Sequence, residues 1–282
     1  GEFKMKRIIA ILLAIAMLFA CTACASGVGS KATDRLAQIK QQGYIEVCTE
    51  PYFTPYEFMD TTKTGDDQYV GMDIELARYI AEKIGVELRI VPLEFSAVQA
   101  GVIDGKYDLA ISAIAYSPAR AENMAMSKGY YFSDDGYGLL VRTEDAEKYT
   151  TIEEAQQAVI VTQSGSVQEA LYNDNIKTCK EFKLVSAMTD GYLAVAEGKA
   201  DICVCSLASA QLYAEANGGL ALTSFRFEVS EEMNGTRVAA PKEGTESLME
   251  VINQCIDELR AQGKLEAWFS EYADYAATLG IE

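Results

Sequence analysis

The residue type that most constrains the chemistry of this sequence is one it lacks. None of its 282 residues is histidine, which removes Ser-His-Asp and Cys-His catalysis and histidine-ligated metal sites. Apart from Cys21 and Cys24, cysteines stand at 48, 179, 203, 205 and 255. Their number is odd and no pair has the spacing of a metal knuckle. Cys203 and Cys205 lie two apart in an expected strand, so both side chains face one way and pack as small hydrophobes. No disulfide is assigned, and no metal or cofactor is expected. Acids outnumber bases, 42 to 24, for a net charge of −18. That excess serves solubility and excludes attachment to nucleic acid or an anionic membrane face through summed charge.

A covalent chemistry is written at the N-terminus. Gly1 to Lys4 precede Met5 and read as a cloning scar. Lys6 and Arg7 follow, then an apolar run of 13 residues, Ile8 to Ala20. A membrane-spanning helix needs about 20 apolar residues, so residues 5–23 read instead as a secretory signal peptide. Leu18-Phe19-Ala20-Cys21 and Cys21-Thr22-Ala23-Cys24 both resemble the lipobox of bacterial lipoproteins. The small residues before Cys24 favour it over Cys21, where Phe19 is bulky; Leu18 favours Cys21. Cys24 is the expected lipidation site and Cys21 the fallback, with residues 24–35 a flexible tether. The expected location is extracytoplasmic, with an N-terminal lipid as the membrane anchor. Cleavage after residue 23 removes Lys4, Lys6, Arg7 and Glu2, leaving 21 basic and 41 acidic residues, net −20.

The remaining chain alternates strand and helix. Tyr44 to Glu50 reads as a strand running into a loop with Pro51 and Pro55. Asp73 is the expected cap of a helix with apolar Leu76, Ala77, Ile80 and Ile84, stopped by Gly85. Val86 to Val91 is a strand, Ser96 to Asp104 a helix, and Tyr107 to Ile114 a nearly apolar strand, as when both faces are covered. The pattern restarts with a helix (151–158), strands at 159–162 and 183–186, a helix at 190–197, a strand at 200–205 and a helix at 207–216. A strand at 236–240 and an amphipathic helix at 246–260 follow. This predicts two α/β lobes with mostly parallel sheets.

Four stretches in this order resemble the solute-binding proteins of polar-amino-acid ABC importers, the periplasmic-binding-protein type II group. They are Tyr44 to Val47 with Pro55-Tyr56-Glu57-Phe58; Gly71 to Ala77; Gly105 to Ser112 with Ser117-Pro118-Ala119-Arg120; and Gln163 to Ser166 with Gly198 to Asp201. The resemblance implies two lobes joined by two crossing strands, one lobe from 36–141 and 236–282, the other from 142–235. The chain is expected to leave the first lobe near Leu140–Arg142 and return near Thr236–Ala239. A small amino-acid-like ligand sits between the lobes, closure around it is a hinge motion, and the partners are ABC permease subunits. The protein is expected to act as a monomer.

The same resemblance implies site residues. Arg120, twelve residues after Asp108, holds the ligand's α-carboxylate through a guanidinium fork. Ser112, Ala113 and Ala115 follow the strand and offer backbone groups and a hydroxyl, Ala115 standing where many relatives have Ser or Thr. Ser166, Val167 and Gln168 open a helix whose free N–H groups and dipole suit the same carboxylate, and Ser166 caps it. Glu50, Phe53, Phe95 and Gln163 surround the ligand side chain; a carboxylate among aromatic faces suits a cationic or amide group. Relatives carry an aspartate for the α-amino group five residues after the strand's Asp201; here Ser206 stands there. A serine cannot neutralise an ammonium. Either Glu50 or another acid takes the ammonium, or the ligand is not an ordinary free α-amino acid. Ser206 could instead simply cap the next helix.

Other functions on this fold would leave other marks in the sequence. A cyclohexadienyl-dehydratase-like enzyme on the same fold needs an acid to protonate a leaving hydroxyl, but no motif demands one; the expectation is a binding protein, not an enzyme. A sensory module is expected to continue into a transmembrane helix, which is absent at Glu282, and an adhesive lipoprotein has no positive sign.

Overall fold

The computed structural model describes residues 34–280 apart from Asp134. The signal peptide, both lipobox cysteines and most of the tether lie outside the described residues.

Helix α1 (Arg35–Gln42) leads into β1 (Tyr44–Thr49). A small antiparallel sheet follows, β2 (Tyr52–Phe53), β3 (Glu57–Met59) and β4 (Tyr69–Val70). Then come α2 (Met72–Ile84), β5 (Glu87–Pro92), α3 (Phe95–Ile103), β6 (Leu109–Ala110), α4 (Pro118–Asn123) and β7 (Met124–Phe132). The second series is β8 (Tyr137–Arg142), α5 (Ile152–Ala155), β9 (Val159–Gln163), α6 (Val167–Leu171), β10 (Glu181–Val185), α7 (Met188–Ala196), β11 (Ile202–Ser206), α8 (Leu207–Asn217) and β12 (Leu220–Arg226). The chain ends with β13 (Gly235–Pro241), α9 (Glu246–Ala261) and α10 (Lys264–Leu279).

The strands form two five-stranded mixed sheets, ordered β5-β1-β6-β13-β7 and β10-β9-β11-β8-β12. In each, three parallel strands come from consecutive βα units, and two antiparallel strands complete one edge. Two α/β lobes with crossing strands are thus the architecture. The first crossing falls earlier than expected. Tyr137–Arg142 pairs with β11 and β12, so the chain has already changed sheets by Tyr137 rather than at Leu140–Arg142. The apolar run from Tyr137 to Val141 fits either sheet equally well, and only its partners decide. The return strand β13 joins the first sheet.

Each lobe closes its sheet with the same device. Asp108, just before β6, accepts the Glu46 N–H at 2.8 Å and pairs with Arg35 at 2.6 Å. Asp201, just before β11, accepts the Val159 N–H at 2.9 Å and pairs with Arg142 at 3.2 Å. Both aspartates therefore tie a strand start to its neighbour, and both are charge-assisted bonds. The C-terminal helices return to the first lobe: Leu248, Ile252, Ile256, Leu259 and Leu265 bury with Ile45, Val47, Leu76 and Ile80 in one core.

Cys203 and Cys205 share the other lobe's core, and the five described cysteines are free thiols. Asp73 is not a cap. The helix begins at Met72 after Gly71, where a φ of 127° and a Tyr56 carbonyl oxygen only 2.2 Å from where a Cβ would sit admit no side chain. Asp73 instead lies inside, fully buried, and holds the backbone of Ala113, which lines the cleft. Tyr107 to Ile114 was expected to be one long strand; only Leu109–Ala110 joins the ladder. Beyond Ile111 the chain turns toward the other lobe, with Ala113 at φ 44°.

Candidate functional site

The twelve residues named from the sequence all line one cavity between the lobes, which holds about 620 Å³ of empty space, mouth included. Glu50 follows β1, Ser112 to Ala115 leave β6, Arg120 lies on α4 and Phe95 opens α3. Gln163 ends β9, Ser166 to Gln168 open α6, and Ser206 ends β11. The cleft is thus built from the carboxyl ends of parallel strands, the place where open α/β sheets bind ligands.

Arg120 is buried, and its guanidinium is held on three sides. Nε donates to Gln99 Oε1 at 3.0 Å, Nη1 to the Ala115 carbonyl at 2.7 Å and Nη2 to the Gly165 carbonyl at 2.9 Å. The Phe95 ring lies 5.6 Å from the guanidinium carbon. A guanidinium carries five N–H donors, so one remains on each Nη. No carboxylate within ion-pair distance takes them among the described residues. Burial lowers the Arg120 pKa to about 10, with Tyr137 opposing, so it stays charged at neutral pH. Arg142 shows the usual alternative, with Asp145 at 2.8 Å, Asp201 at 3.2 Å and Glu144 at 3.6 Å.

The acids lie elsewhere along the wall. Glu50 is 2 % exposed and its Oε1 has no hydrogen-bond partner. Burial pushes its pKa up to about 8; the Gln163 amide opposes this, and Asp190 and Glu94 add to it. Glu57, not singled out from the sequence, is fully buried in the same cavity wall. Ser112 Oγ donates to Glu57 Oε1 at 2.9 Å and accepts the Glu50 N–H at 3.0 Å. The Ser112 hydroxyl is therefore a strut between two acids rather than a free donor. Burial holds the Glu57 carboxyl well above the carboxylate range, as do Asp73 and Glu50 nearby. Asp73 Oδ2 accepts the Ala113 N–H at 2.7 Å and the Tyr130 hydroxyl at 2.8 Å. Burial raises Asp73 to about 6 against these bonds. Glu57 Oε2 and Asp73 Oδ1 each lack a donor among protein groups, and the two carboxyls are hydrogen-bonded to each other. A proton on Glu57 satisfies both. The left-handed Ala113, which costs about 1–2 kcal/mol for a non-glycine residue, is held by its bond to Asp73.

The second lobe brings neutral groups. Ser166 Oγ accepts the Glu169 N–H at 3.1 Å, capping α6, and donates to the Gln163 carbonyl at 2.7 Å. Its α-helical part is only five residues long, so the expected dipole is small. What α6 offers is the Val167 and Gln168 N–H groups, which have no helical carbonyl to bond. Gln163 Nε2 donates to the Ser186 carbonyl at 2.9 Å. Ser206 precedes α8, yet its hydroxyl makes no capping bond, against the simple capping role. Phe53 stacks on Tyr56, 5.5 Å between centroids, and packs against the cores of both lobes. Phe95 combines both expectations, a core residue that also faces Arg120.

The structure adds residues that carried no sequence signal: Ser133, Gly136 and Tyr137 on one crossing segment, Asn234 and Thr236 on the other, with Tyr56. Glu57 had one, being a lone acid among Tyr56, Phe58 and Met59. The lobes touch at the cleft, since Arg120 and Gln99 both donate across it to the Gly165 carbonyl.

Residues 45–274 match the family described as bacterial extracellular solute-binding proteins, family 3. The chain belongs to that family. It is one of binding proteins rather than enzymes, located outside the cytoplasm. The chain is 24% identical over 232 residues to a probable histidine-binding protein of Campylobacter jejuni, covering 81% of this chain and 84% of that one. It is also 24% identical over 196 residues to a cyclohexadienyl dehydratase of Pseudomonas aeruginosa, covering 68% and 70%. Among solved structures it is similar to an amino acid ABC transporter substrate-binding protein from Streptococcus pneumoniae bound to L-arginine. There the TM-score is 0.77 and the identity 29%, with 87% of this chain and 99% of that one covered.

Proposed function

We propose that this chain is an extracytoplasmic receptor for an α-amino acid with a cationic side chain, which it delivers as a monomer to an ABC permease. Cys24, with Cys21 the fallback, carries the lipid that keeps it at the membrane. The lobes are taken as residues 36–136 with 236–282, and 137–235, because Tyr137–Arg142 already pairs in the second sheet. The observation that carries the reading is the charge layout of the cleft. A buried guanidinium with two spare N–H groups awaits an anion. The buried carboxyl of Glu50 keeps an oxygen without a donor and awaits a cation, with Glu57, protonated toward Asp73, behind it. A carboxylate on Arg120 and an ammonium or guanidinium by the acids neutralise both poles at once. The arginine-bound pneumococcal relative is consistent with this layout.

The ligand is the missing partner for both lobes. The second lobe's Val167 and Gln168 N–H groups and Gln163 complete a shell begun by the first, so closure depends on what is bound. A thermal-shift screen of the common amino acids tests the reading. L-arginine, L-lysine or L-histidine should raise the melting temperature most, since saturation at a hundred times Kd adds about 2.7 kcal/mol. A response confined to acidic or apolar amino acids would overturn it. Incubation with prephenate and with arogenate, expected to yield no aromatic product, checks the dehydratase alternative.

A further inference from the structure

The ligand's amino group needs an acceptor close to Arg120, because it shares a carbon with the carboxylate. Ser206 is neutral, Glu50 is engaged with the side chain in the reading above, and Glu57 is engaged with Ser112 and Asp73. Among the described residues, one other oxygen in the cavity wall is buried and without a donor: Oδ1 of Asn234.

Asn234 stands where the two crossing segments meet. Its carbonyl accepts the Ser133 N–H at 3.2 Å. Its Oδ1 lies 3.9 Å from where a Cβ on Gly136 would sit. Gly136 accepts the Leu207 N–H at 3.0 Å, and Ser206 lies opposite Tyr137 in the ladder. Asn234 and Ser206 therefore flank the same glycine. The neighbouring Thr236 is bridged to Ala115, whose carbonyl holds Arg120 Nη1. Tyr137 donates to the Met233 carbonyl at 3.2 Å. Asn234 is thus on the Arg120 side of the cleft, within the frame that positions the guanidinium. A buried carboxamide oxygen with no donor is costly, and an ammonium supplies one.

We propose that Asn234 Oδ1, aided by Ser206, is the acceptor for the ligand's α-ammonium, replacing a carboxylate with neutral oxygens. The inference rests on the cationic amino-acid reading of the cleft. A neutral acceptor spares the empty cleft a third buried acid, and it recognises the amino group by its N–H bonds more than by its charge.

The test uses L-arginine and 5-guanidinopentanoate, the same molecule without the amino group, titrated calorimetrically into wild type, Asn234→Ala and Asn234→Asp. Wild type should prefer L-arginine. Asn234→Ala should weaken L-arginine by about tenfold and 5-guanidinopentanoate by less than twofold. Asn234→Asp, nearly isosteric, should strengthen L-arginine and weaken the analogue, because a carboxylate makes the stronger bond to an ammonium but is desolvated without a partner by the analogue. Equal losses for both ligands in Asn234→Ala, or no change in either variant, would overturn the role of Asn234 and leave the cleft reading standing. Wild type binding both ligands equally would do the same. Wild type binding neither would overturn the cleft reading, and this inference with it.

Discussion

The two lobes share one sheet topology and one aspartate–arginine tie, yet they present opposite chemistry to each other. The first lobe puts its ionisable groups into the cleft: Arg120, Glu50 and Glu57, all buried. The second lobe puts its charges elsewhere, Arg142 among Glu144, Asp145 and Asp201, and faces the cleft with Gln163, Ser166, Gln168 and Ser206. The same scaffold therefore carries a charged half-site and a neutral one. The difference assigns roles. On the proposed reading the first lobe selects by charge, and the second closes over whatever has neutralised that charge. Two charged half-sites would repel or over-bind without ligand. One of each makes closure favourable mainly when a ligand has already paired the buried ions, since a desolvated unpaired charge is costly.

The strongest way to break this comparison is to remove the first lobe's cation. Arg120→Ala should leave the fold intact and cost about 2–5 kcal/mol of binding, about 30- to several-thousand-fold. Calorimetry showing less than a threefold change would contradict its role.

The acids sharpen the comparison through pH. The Glu50 pKa is raised from 4.5 to about 8 by burial. In the empty protein its contribution to stability is fully present below the unfolded value and is lost as pH rises through about 8. A cationic group binds the ionised form, so affinity should rise with pH, by up to about tenfold per unit, and level off above about 8. Glu50→Gln should remove its share of that slope and weaken cationic ligands more than neutral ones. A slope of the opposite sign, or one unchanged in the variant, would place Glu50 outside the site.

Adding charge to the neutral lobe is the next step down. Ser206→Asp should strengthen a ligand whose α-ammonium lies beside residue 206 and weaken a matched ligand without it. Parallel titration curves for the two proteins would show that residue 206 reads no charge. The smallest effect is expected at Gln99, which orients Arg120 and reaches the Gly165 carbonyl. Gln99→Ala should cost about 0.5–1.5 kcal/mol of affinity and leave the preference among ligands unchanged.

Much of this arrangement was legible in the sequence because it sits at ends of elements. Strand, turn and helix punctuate the chain where Glu50, Arg120, Gln163 and Ser166 fall, and motif order carries them to one cleft. What escaped depends on tertiary partners. Tyr137 to Val141 is apolar in any sheet, so its membership of the second one is decided by β11 and β12. Asp73 looks like a helix cap because acids favour first turns, but Gly71 lets the chain pass so close to Tyr56 that Asp73 is drawn inside. Asn234 lies on a crossing segment with no periodic pattern. Ser112 reads as a donor to ligand until Glu57 is seen beside it.

In the proposed function, the first lobe's Glu50 selects a cationic side chain. The most direct test compares L-arginine with L-citrulline, which keeps the shape and both α-groups and replaces the guanidinium with a neutral urea. The two are titrated calorimetrically into the same protein at pH 8. L-arginine should bind at least about 30-fold more tightly, as expected for a charge-assisted contact worth about 2 kcal/mol. Equal affinities, or a preference for L-citrulline, would contradict the account.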